Sequence, residues 1–236
     1  SGSIEGGWMA SYIIATIKSW NIQKAKELAF AFPEHEFVLI TNPGELDVHF
    51  LEKFQPQFIF FPHWCWIIPA GIYTAYDCVV FHMTDLPFGR GGSPLQNLLS
   101  RGIYDTKISA IKVSKGIDTG PIYFKEELDI REGNADDIYR KVSEIVFHRM
   151  IPRLIQDAPV PIPQEGEPVT FPRRTPQQSE IPNGLSQRQL YDYIRMLDGE
   201  GYPAAFQRTR ERKIYYQNAR LIDDVLYADA KFKVEG

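Results

Sequence analysis

Short runs of consecutive hydrophobic residues alternate with helix-like segments along most of the chain. The runs at Tyr12–Ile17, Phe37–Thr41 and Phe58–Phe61 are too short for helices and rich in β-branched or aromatic residues, which predicts strands. Strands that are apolar on both faces are typical of parallel sheets covered by helices. The pattern therefore predicts an α/β fold with a mostly parallel sheet. Further strands are predicted at Cys78–Phe81, Lys107–Val113 and Pro121–Leu128.

Two helices stand out between these strands. One is predicted over Ile22–Phe32, with Asn21 as its N-cap and Pro33 as its terminator. The other spans Asn134–Ile155, where Asn134 is expected to cap the first turn. Because helices and strands alternate, the helices are expected to cover the faces of the sheet.

The composition changes after residue 157 and divides the chain into three predicted parts. Residues 158–184 are rich in proline and lack periodicity, which predicts an extended linker on the surface. Ser186 and Gln189 then match a capping box at the start of a helix, and a hairpin-like pattern follows. We therefore expect a main domain at 9–157, a linker at 158–184 and a small C-terminal α+β appendage at 185–236.

The net charge and the lengths of the apolar runs exclude several classes of function for this chain. The 236 residues include 26 Lys and Arg against 30 Asp and Glu, a net charge of −4. This argues against binding to nucleic acid through a large basic surface and against polybasic membrane binding. No apolar run reaches the roughly 18 residues of a membrane span, and no secretion signal is recognised, so cytoplasmic localisation is expected. The opening Ser1–Trp8 resembles a tag remnant, with native sequence expected from about Met9.

Candidate chemistry lies where predicted strands end, because open parallel sheets bind ligands at the carboxyl ends of their strands. His82 ends one strand; it is either a general acid or base, or a hydrogen-bonded histidine without chemistry. Asp118 lies in the short loop Ser114–Gly120, where it either stabilises a turn or orients an imidazole. Neighbouring loops can bring the two side chains together. The shortness of that loop leaves open whether the strand after it runs antiparallel.

The glycine-rich segment Pro87–Pro94 is a second candidate. Ser93 and Pro94 match the N-cap and first position of a helix, and Arg90 adds positive charge that can attract an anion. The spacing matches neither dinucleotide-binding nor Walker motifs. No group of His, Cys and carboxylate residues has the spacing of a metal site, so no metal is predicted.

The run from His82 to Pro94 resembles the signature loop of formyltransferases that use 10-formyltetrahydrofolate. The matches to that loop are His82, Leu86-Pro87, Arg90-Gly91 and Pro94, all in one register. Further segments resemble the aspartate loop of the family, its segment beside the pteridine, and the tail of its sugar-formylating members. These segments are Ile117–Ile122, Trp66–Pro69, and residues 171–176 with 195–206.

The resemblance implies a Rossmann-like formyltransferase domain at 9–157, most similar to sugar N-formyltransferases of the pseudaminic-acid-pathway type. Its expected reaction transfers a formyl group from 10-formyltetrahydrofolate to the amino group of a nucleotide-linked amino sugar, as in surface polysaccharide biosynthesis. The expected partner is that small molecule, without nucleic acid, membrane or metal; a homodimer is left open. A catalytically impaired binding relative remains an alternative. Methionyl-tRNA formyltransferase ranks lower, because RNA phosphates favour a basic surface.

The resemblance also implies residue roles. His82 would transfer protons and stabilise the oxyanion, and Asp118 would orient it. The family's catalytic asparagine falls at Val80, which cannot donate a hydrogen bond, so His63 or Thr84 is expected to replace that donor. The remaining expected contacts are Trp66, Ile67, Ile68, Lys115, Gly116 and Ile117 for the folate, and Arg90, Gly91, Gln96 and Arg174 for the substrate.

Overall fold

The computed structural model describes residues 9–235, so the predicted tag remnant at Ser1–Trp8 lies outside the described residues. Each of two compact units is assembled from separate segments of the chain. The first contains the residues up to His82, Ile108–Glu126 and Ser143–Gly166; the second contains Met83–Lys107, Glu127–Val142 and the residues from Glu167 onward. The predicted boundaries of the main domain, linker and appendage stay a prediction.

The central sheet confirms the predicted α/β fold with mostly parallel pairing. The strands of the described chain are β1 (Ser11–Ala15), β2 (Glu36–Ile40), β3 (Phe58–Phe61), β4 (Cys78–His82), β5 (Phe88–Gly91), β6 (Asp105–Lys112), β7 (Ile122–Asp129), β8 (Val169–Phe171), β9 (Ala205–Arg208), β10 (Arg212–Ile222) and β11 (Val225–Val234). The order in the central sheet is β2-β1-β3-β4-β6-β7, and its first four strands, β2, β1, β3 and β4, pair in parallel.

The last two strands of this sheet depart from the parallel pattern. Strand β6 pairs antiparallel with β4, so His82 lies opposite Ser109. The amide of Lys112 donates to the carbonyl oxygen of Pro121 at 2.9 Å, which makes β6 and β7 a hairpin. The strand at Pro121–Leu128 is therefore antiparallel to β6, because the loop is too short for a crossover. The strand that opposes β4 is β6, which the sequence did not predict.

The helices are α1 (Ser19–Ala31), α2 (Val48–Phe54), α3 (Ala70–Tyr73), α4 (Pro94–Ser100), α5 (Ala135–Ile145), α6 (Ile151–Asp157) and α7 (Gln187–Met196). In the part of the chain described, no helix is both long and apolar enough to cross a membrane.

The predicted N-cap of the first helix is wrong. Helix α1 begins at Ser19, and Asn21 is buried within its first turn. The side-chain amide of Asn21 donates to the carbonyl oxygen of Ile17 at 3.2 Å, and its oxygen accepts from Ser143 Oγ at 2.5 Å. Burial beside Ser143 gives Asn21 a tertiary partner, which the local sequence does not show.

The long predicted helix exists but is interrupted. The side chain of Asn134 accepts from the amide of Asp137 at 2.8 Å, which confirms the predicted cap. A wider turn at Val146–Met150 then separates α5 from α6. Pro152 follows this turn and lacks the amide N–H that an uninterrupted helix would use there.

One hydrophobic cluster supports the candidate site in the first unit. It lies on one face of the sheet, and its buried members include Ile13, Ile59, Phe61 and Cys78. Side chains packed against it include Val80, Trp64, Ile68 and Val113. Trp64 and Ile68 in the loop after β3, and Val113 directly after β6, pack against this cluster, so close packing fixes the positions of both loops.

The small C-terminal sheet has the order β11-β10-β9, and both pairs are antiparallel. The capping box of Ser186 and Gln189 begins α7, as the sequence predicts. The hairpin predicted over Ala205–Gln217 is confirmed by β9 and β10. Together these features confirm the predicted small C-terminal α+β unit. Within the predicted linker, β8 pairs in parallel with β5.

Candidate functional site

Two predicted site residues meet beside strand β4. His82 is the last residue of β4, and Asp118 lies in the loop that follows β6. His82 Nδ1 is 3.6 Å from Asp118 Oδ2, and the two side chains are 10% and 16% exposed. A carboxylate at this position can fix the orientation of the ring. The arrangement is suited to proton transfer, although the catalytic roles stay a prediction.

The loop that carries Asp118 has a constrained backbone. Asp118 itself has a φ of 55°, and Gly116 has a φ of 99°. Thr119 Oγ1 donates to the carbonyl oxygen of Lys115 at 2.9 Å and closes the turn. A Cβ at Gly120 would overlap the carbonyl oxygen of Lys112. The loop therefore depends on glycine at position 120, because only glycine allows the backbone to approach so closely.

We expect Gly120→Ala to disrupt the Asp118 loop and to destabilise the protein. The added methyl group must displace backbone rather than a flexible side chain, and such overpacking costs about 1–3 kcal/mol or more. The measurement is the free energy of unfolding in urea. Gly71→Ala is the matched control, because a Cβ at Gly71 meets no atom within 4 Å. Equal stability of the two variants would contradict this account of the loop.

The predicted folate-binding residues lie on two loops of the same unit. Ile68 packs against the hydrophobic cluster, whereas Ile67 is 93% exposed and Ile117 is 76% exposed. The Trp66 ring lies 4.7 Å from the Trp64 ring, and the buried Nε1 of Trp64 has no hydrogen-bond acceptor among residues 9–235. Exposed apolar residues beside an aromatic pair suit a planar ligand, and these contacts stay a prediction.

The position of the expected asparagine is apolar. Val80 and His82 are two residues apart on β4, so both side chains project to one face of the strand. Val80 packs against the hydrophobic cluster. His63 follows β3 with a φ of 58°, and the preceding carbonyl oxygen of Pro62 accepts from Thr16 Oγ1. The proposal that His63 replaces the missing donor stays a prediction.

The predicted substrate residues lie in the second unit, and several have structural partners there. Thr84 is buried and donates to the carbonyl oxygen of Gly89 at 3.3 Å. Gln96 is also buried, and its amide donates to the carbonyl oxygen of Met196 at 3.0 Å. Arg174 Nη2 donates to the hydroxyl of Tyr193 at 3.0 Å. These hydrogen bonds give all three side chains structural partners within the protein. Contacts of Thr84, Gln96 and Arg174 with substrate stay a prediction.

The glycine-rich segment contains β5 with Arg90 and Gly91. Gly91 has a φ of 102°, and a Cβ there would lie 2.6 Å from the carbonyl oxygen of Phe171. Ser93 occupies the N-cap position but makes no capping bond; its Oγ accepts from the Arg174 amide at 3.1 Å instead. The predicted Ser93 cap is therefore wrong, although Pro94 does begin α4. No group of three or more potential metal ligands occurs within residues 9–235.

Two features were missed by the sequence predictions. Gln164, inside the predicted linker, donates to the carbonyl oxygens of Asp118 and Gly120 at 2.8 Å each. In the second unit, Arg195 and Asp192 form a buried ion pair at 2.9 Å. The pKa of the Tyr104 hydroxyl beside this pair is raised, mainly because the hydroxyl is partly buried and secondly because it donates a hydrogen bond to Asp192. The sequence carries no motif for either feature.

Comparisons with known proteins give consistent results. Residues 176–233 match the family model for the methionyl-tRNA formyltransferase C-terminal domain. The solved structure of a methionyl-tRNA formyltransferase from Clostridium thermocellum is 49% identical, covers 96% of this chain and 100% of that chain, and has a TM-score of 0.92.

More distant matches extend the comparison. A methionyl-tRNA formyltransferase of Rickettsia felis is 28% identical over 158 residues, which are 64% of this chain and 52% of that protein. The chain thus spans about half the length of the curated relatives it matches. HypX from Aquifex aeolicus, solved with tetrahydrofolic acid, is 18% identical, covers 89% of this chain and 38% of that chain, and has a TM-score of 0.72. The likeness to HypX shows the fold alone.

Proposed function

We propose that this chain, which belongs to the formyltransferase family, transfers the formyl group of 10-formyltetrahydrofolate to the amino group of methionyl-tRNA. The observation that carries the proposal is the 49% identity to the Clostridium thermocellum protein over that protein's whole length. The match of residues 176–233 to the C-terminal domain of methionyl-tRNA formyltransferases supports the same substrate.

The predicted nucleotide-sugar substrate and the role in surface polysaccharide biosynthesis are wrong. The matches that overturn them are the Clostridium thermocellum and Rickettsia felis proteins and the C-terminal family model, which all name methionyl-tRNA formyltransferase. The same matches also overturn the prediction that the protein has no nucleic-acid partner. Net charge is a sum over the chain and says little about local surfaces.

The proposed mechanism assigns the proton transfers to His82. Attack of an amine on a formyl carbon requires the amine to lose a proton and the leaving nitrogen to gain one. Because His82 Nδ1 faces Asp118, Nε2 is the nitrogen that exchanges the proton. Asp118 stabilises the imidazolium while the proton is held. The protonated ring also helps to stabilise the developing oxyanion.

Folate recognition is assigned to the loops after β3 and β6. When bound, 10-formyltetrahydrofolate supplies an activated formyl group. Ile67 and Ile117 are exposed, and the buried Nε1 of Trp64 has no acceptor among residues 9–235, so these loops offer accessible apolar residues and an aromatic pair to a planar ligand. The residues proposed to hold the pteridine are Trp66, Ile67, Ile68, Lys115, Gly116 and Ile117.

We expect the purified protein to formylate methionyl-tRNA when 10-formyltetrahydrofolate is supplied. The measurement is acid-stable incorporation of labelled formyl groups, with free methionine and a nucleotide-linked amino sugar as competing acceptors. Transfer to the sugar alone would overturn the proposed acceptor. A thermal-shift titration with a stable folate analogue provides the second readout. Folate binding without transfer to any acceptor would indicate a relative that binds but does not catalyse.

A further inference from the structure

We infer that Gln164 is a positioning residue for the proposed reaction, acting through the backbone of the Asp118 loop. Its side-chain nitrogen donates to the carbonyl oxygens of Asp118 and Gly120, at 2.8 Å in both cases. One amide thus links two carbonyls on either side of Thr119. Carbonyl oxygens of a tight turn have few partners within the turn itself, so an external donor fixes its conformation.

The chain segment before Gln164 is attached to the same region. Ile162 and Ile122 form an isolated antiparallel bridge, with the Ile122 amide donating to Ile162 at 2.7 Å and the Ile162 amide donating back at 2.8 Å. Ile122 is the first residue of β7, directly after the Asp118 loop. The bridge therefore places Gln164 beside the loop with little freedom to move.

The consequence for the site follows from the conformation of Asp118. Its φ of 55° lies in the left-handed region, which is uncommon for non-glycine residues although aspartate adopts it more readily than most. In this conformation Asp118 Oδ2 lies 3.6 Å from His82 Nδ1. Loss of the two Gln164 bonds would release the loop and move the carboxylate away from the imidazole. Gln164 would then control His82 without contact to substrate.

Two kinds of measurement test the inference, and only the kinetic one depends on the proposed function. We expect Gln164→Ala to lower kcat for formyl transfer by about tenfold to a hundredfold, the scale of misplaced catalytic groups, with KM for the folate nearly unchanged. Gln164→Glu keeps the shape but cannot donate as a carboxylate, so it should lose a similar factor. Gln164→Asn keeps the amide and should retain intermediate activity. Gln156→Ala on the exposed side of α6 is the matched control.

A coupling experiment separates positioning from general destabilisation. If Gln164 acts through Asp118, Gln164→Ala should cost almost nothing further in an Asp118→Asn background. If the double variant instead loses kcat by the product of the two single-variant factors, the two residues act independently and the inference is overturned.

The spectroscopic arm needs no activity. In protein labelled with ¹⁵N-histidine, the His82 nitrogens should show a proton fixed on Nδ1 in the wild type and mixed tautomers in Gln164→Ala. The spectrum of His82→Gln identifies the signal among the five histidines. An unchanged His82 tautomer in a folded Gln164→Ala variant would overturn the inference, whichever acceptor the enzyme uses.

Discussion

Replacement of His82 by alanine should lower kcat for formyl transfer by about 10²–10⁴-fold, the range that a positioned acid or base contributes. The imidazole lies 3.6 Å from the Asp118 carboxylate and is the group assigned to both proton transfers. Because these interactions develop in the transition state, KM for the folate should change little. The measurement is a steady-state comparison at saturating methionyl-tRNA.

The control for this prediction is His49→Ala. His49 is exposed on α2 of the same unit, so its removal changes histidine content without touching the site. Both variants should keep the wild-type melting temperature within a few degrees, because His82 lies at a strand end rather than in the hydrophobic cluster. Near-normal turnover by a folded His82→Ala variant would show that another group transfers the proton.

Replacement of Arg195 by methionine should destabilise the protein by about 3–5 kcal/mol, the cost of breaking a buried ion pair. Arg195 is 1% exposed. Its guanidinium donates to Asp192, Gly133 and Ile130, at 2.9 Å in each case. Methionine fills much of the volume but leaves a buried carboxylate and two carbonyl oxygens without these donors.

The measurement for Arg195→Met is urea unfolding followed by circular dichroism, with Arg210→Met as the control. Arg210 lies in the exposed turn between β9 and β10 and should cost less than about 0.5 kcal/mol, as most surface substitutions do. A loss below about 1 kcal/mol in Arg195→Met would mean that water or a rearranged side chain replaces the guanidinium.

The elements of the fold could be predicted because their causes are local. The strand at Phe58–Phe61 and the capping box of Ser186 and Gln189 depend on residues within a few positions of each other. The same locality explains the wrong N-cap at Asn21, whose partner Ser143 is 122 positions away. A sequence pattern reflects only interactions between residues that are close along the chain. A partner that is distant along the chain, such as Ser143, can give a residue a different role.

The candidate site was predictable in part. His82 and Asp118 were candidates because each follows a predicted strand and their loops resemble those of known formyltransferases. That reasoning does not explain their approach: β6 runs antiparallel to β4, so Lys112 lies opposite Val79 and the loop after it must fold back towards His82. The substrate was not predictable from charge, since a chain-wide sum says little about local surfaces. The resemblance of the tail to sugar-formylating members misled as well, because residues 176–233 match the methionyl-tRNA formyltransferase C-terminal domain.

The sequence by itself determined most strands of the central sheet, the helix caps at Asn134 and Ser186, and the candidate histidine and aspartate, since periodicity and local capping act over short distances. Tertiary structure alone decided the antiparallel direction of β6, the 3.6 Å approach of His82 to Asp118, and the Gln164 bonds to a loop 46 residues earlier. Those contacts join segments that are distant along the chain, and they form only when the packed sheet brings their backbones together.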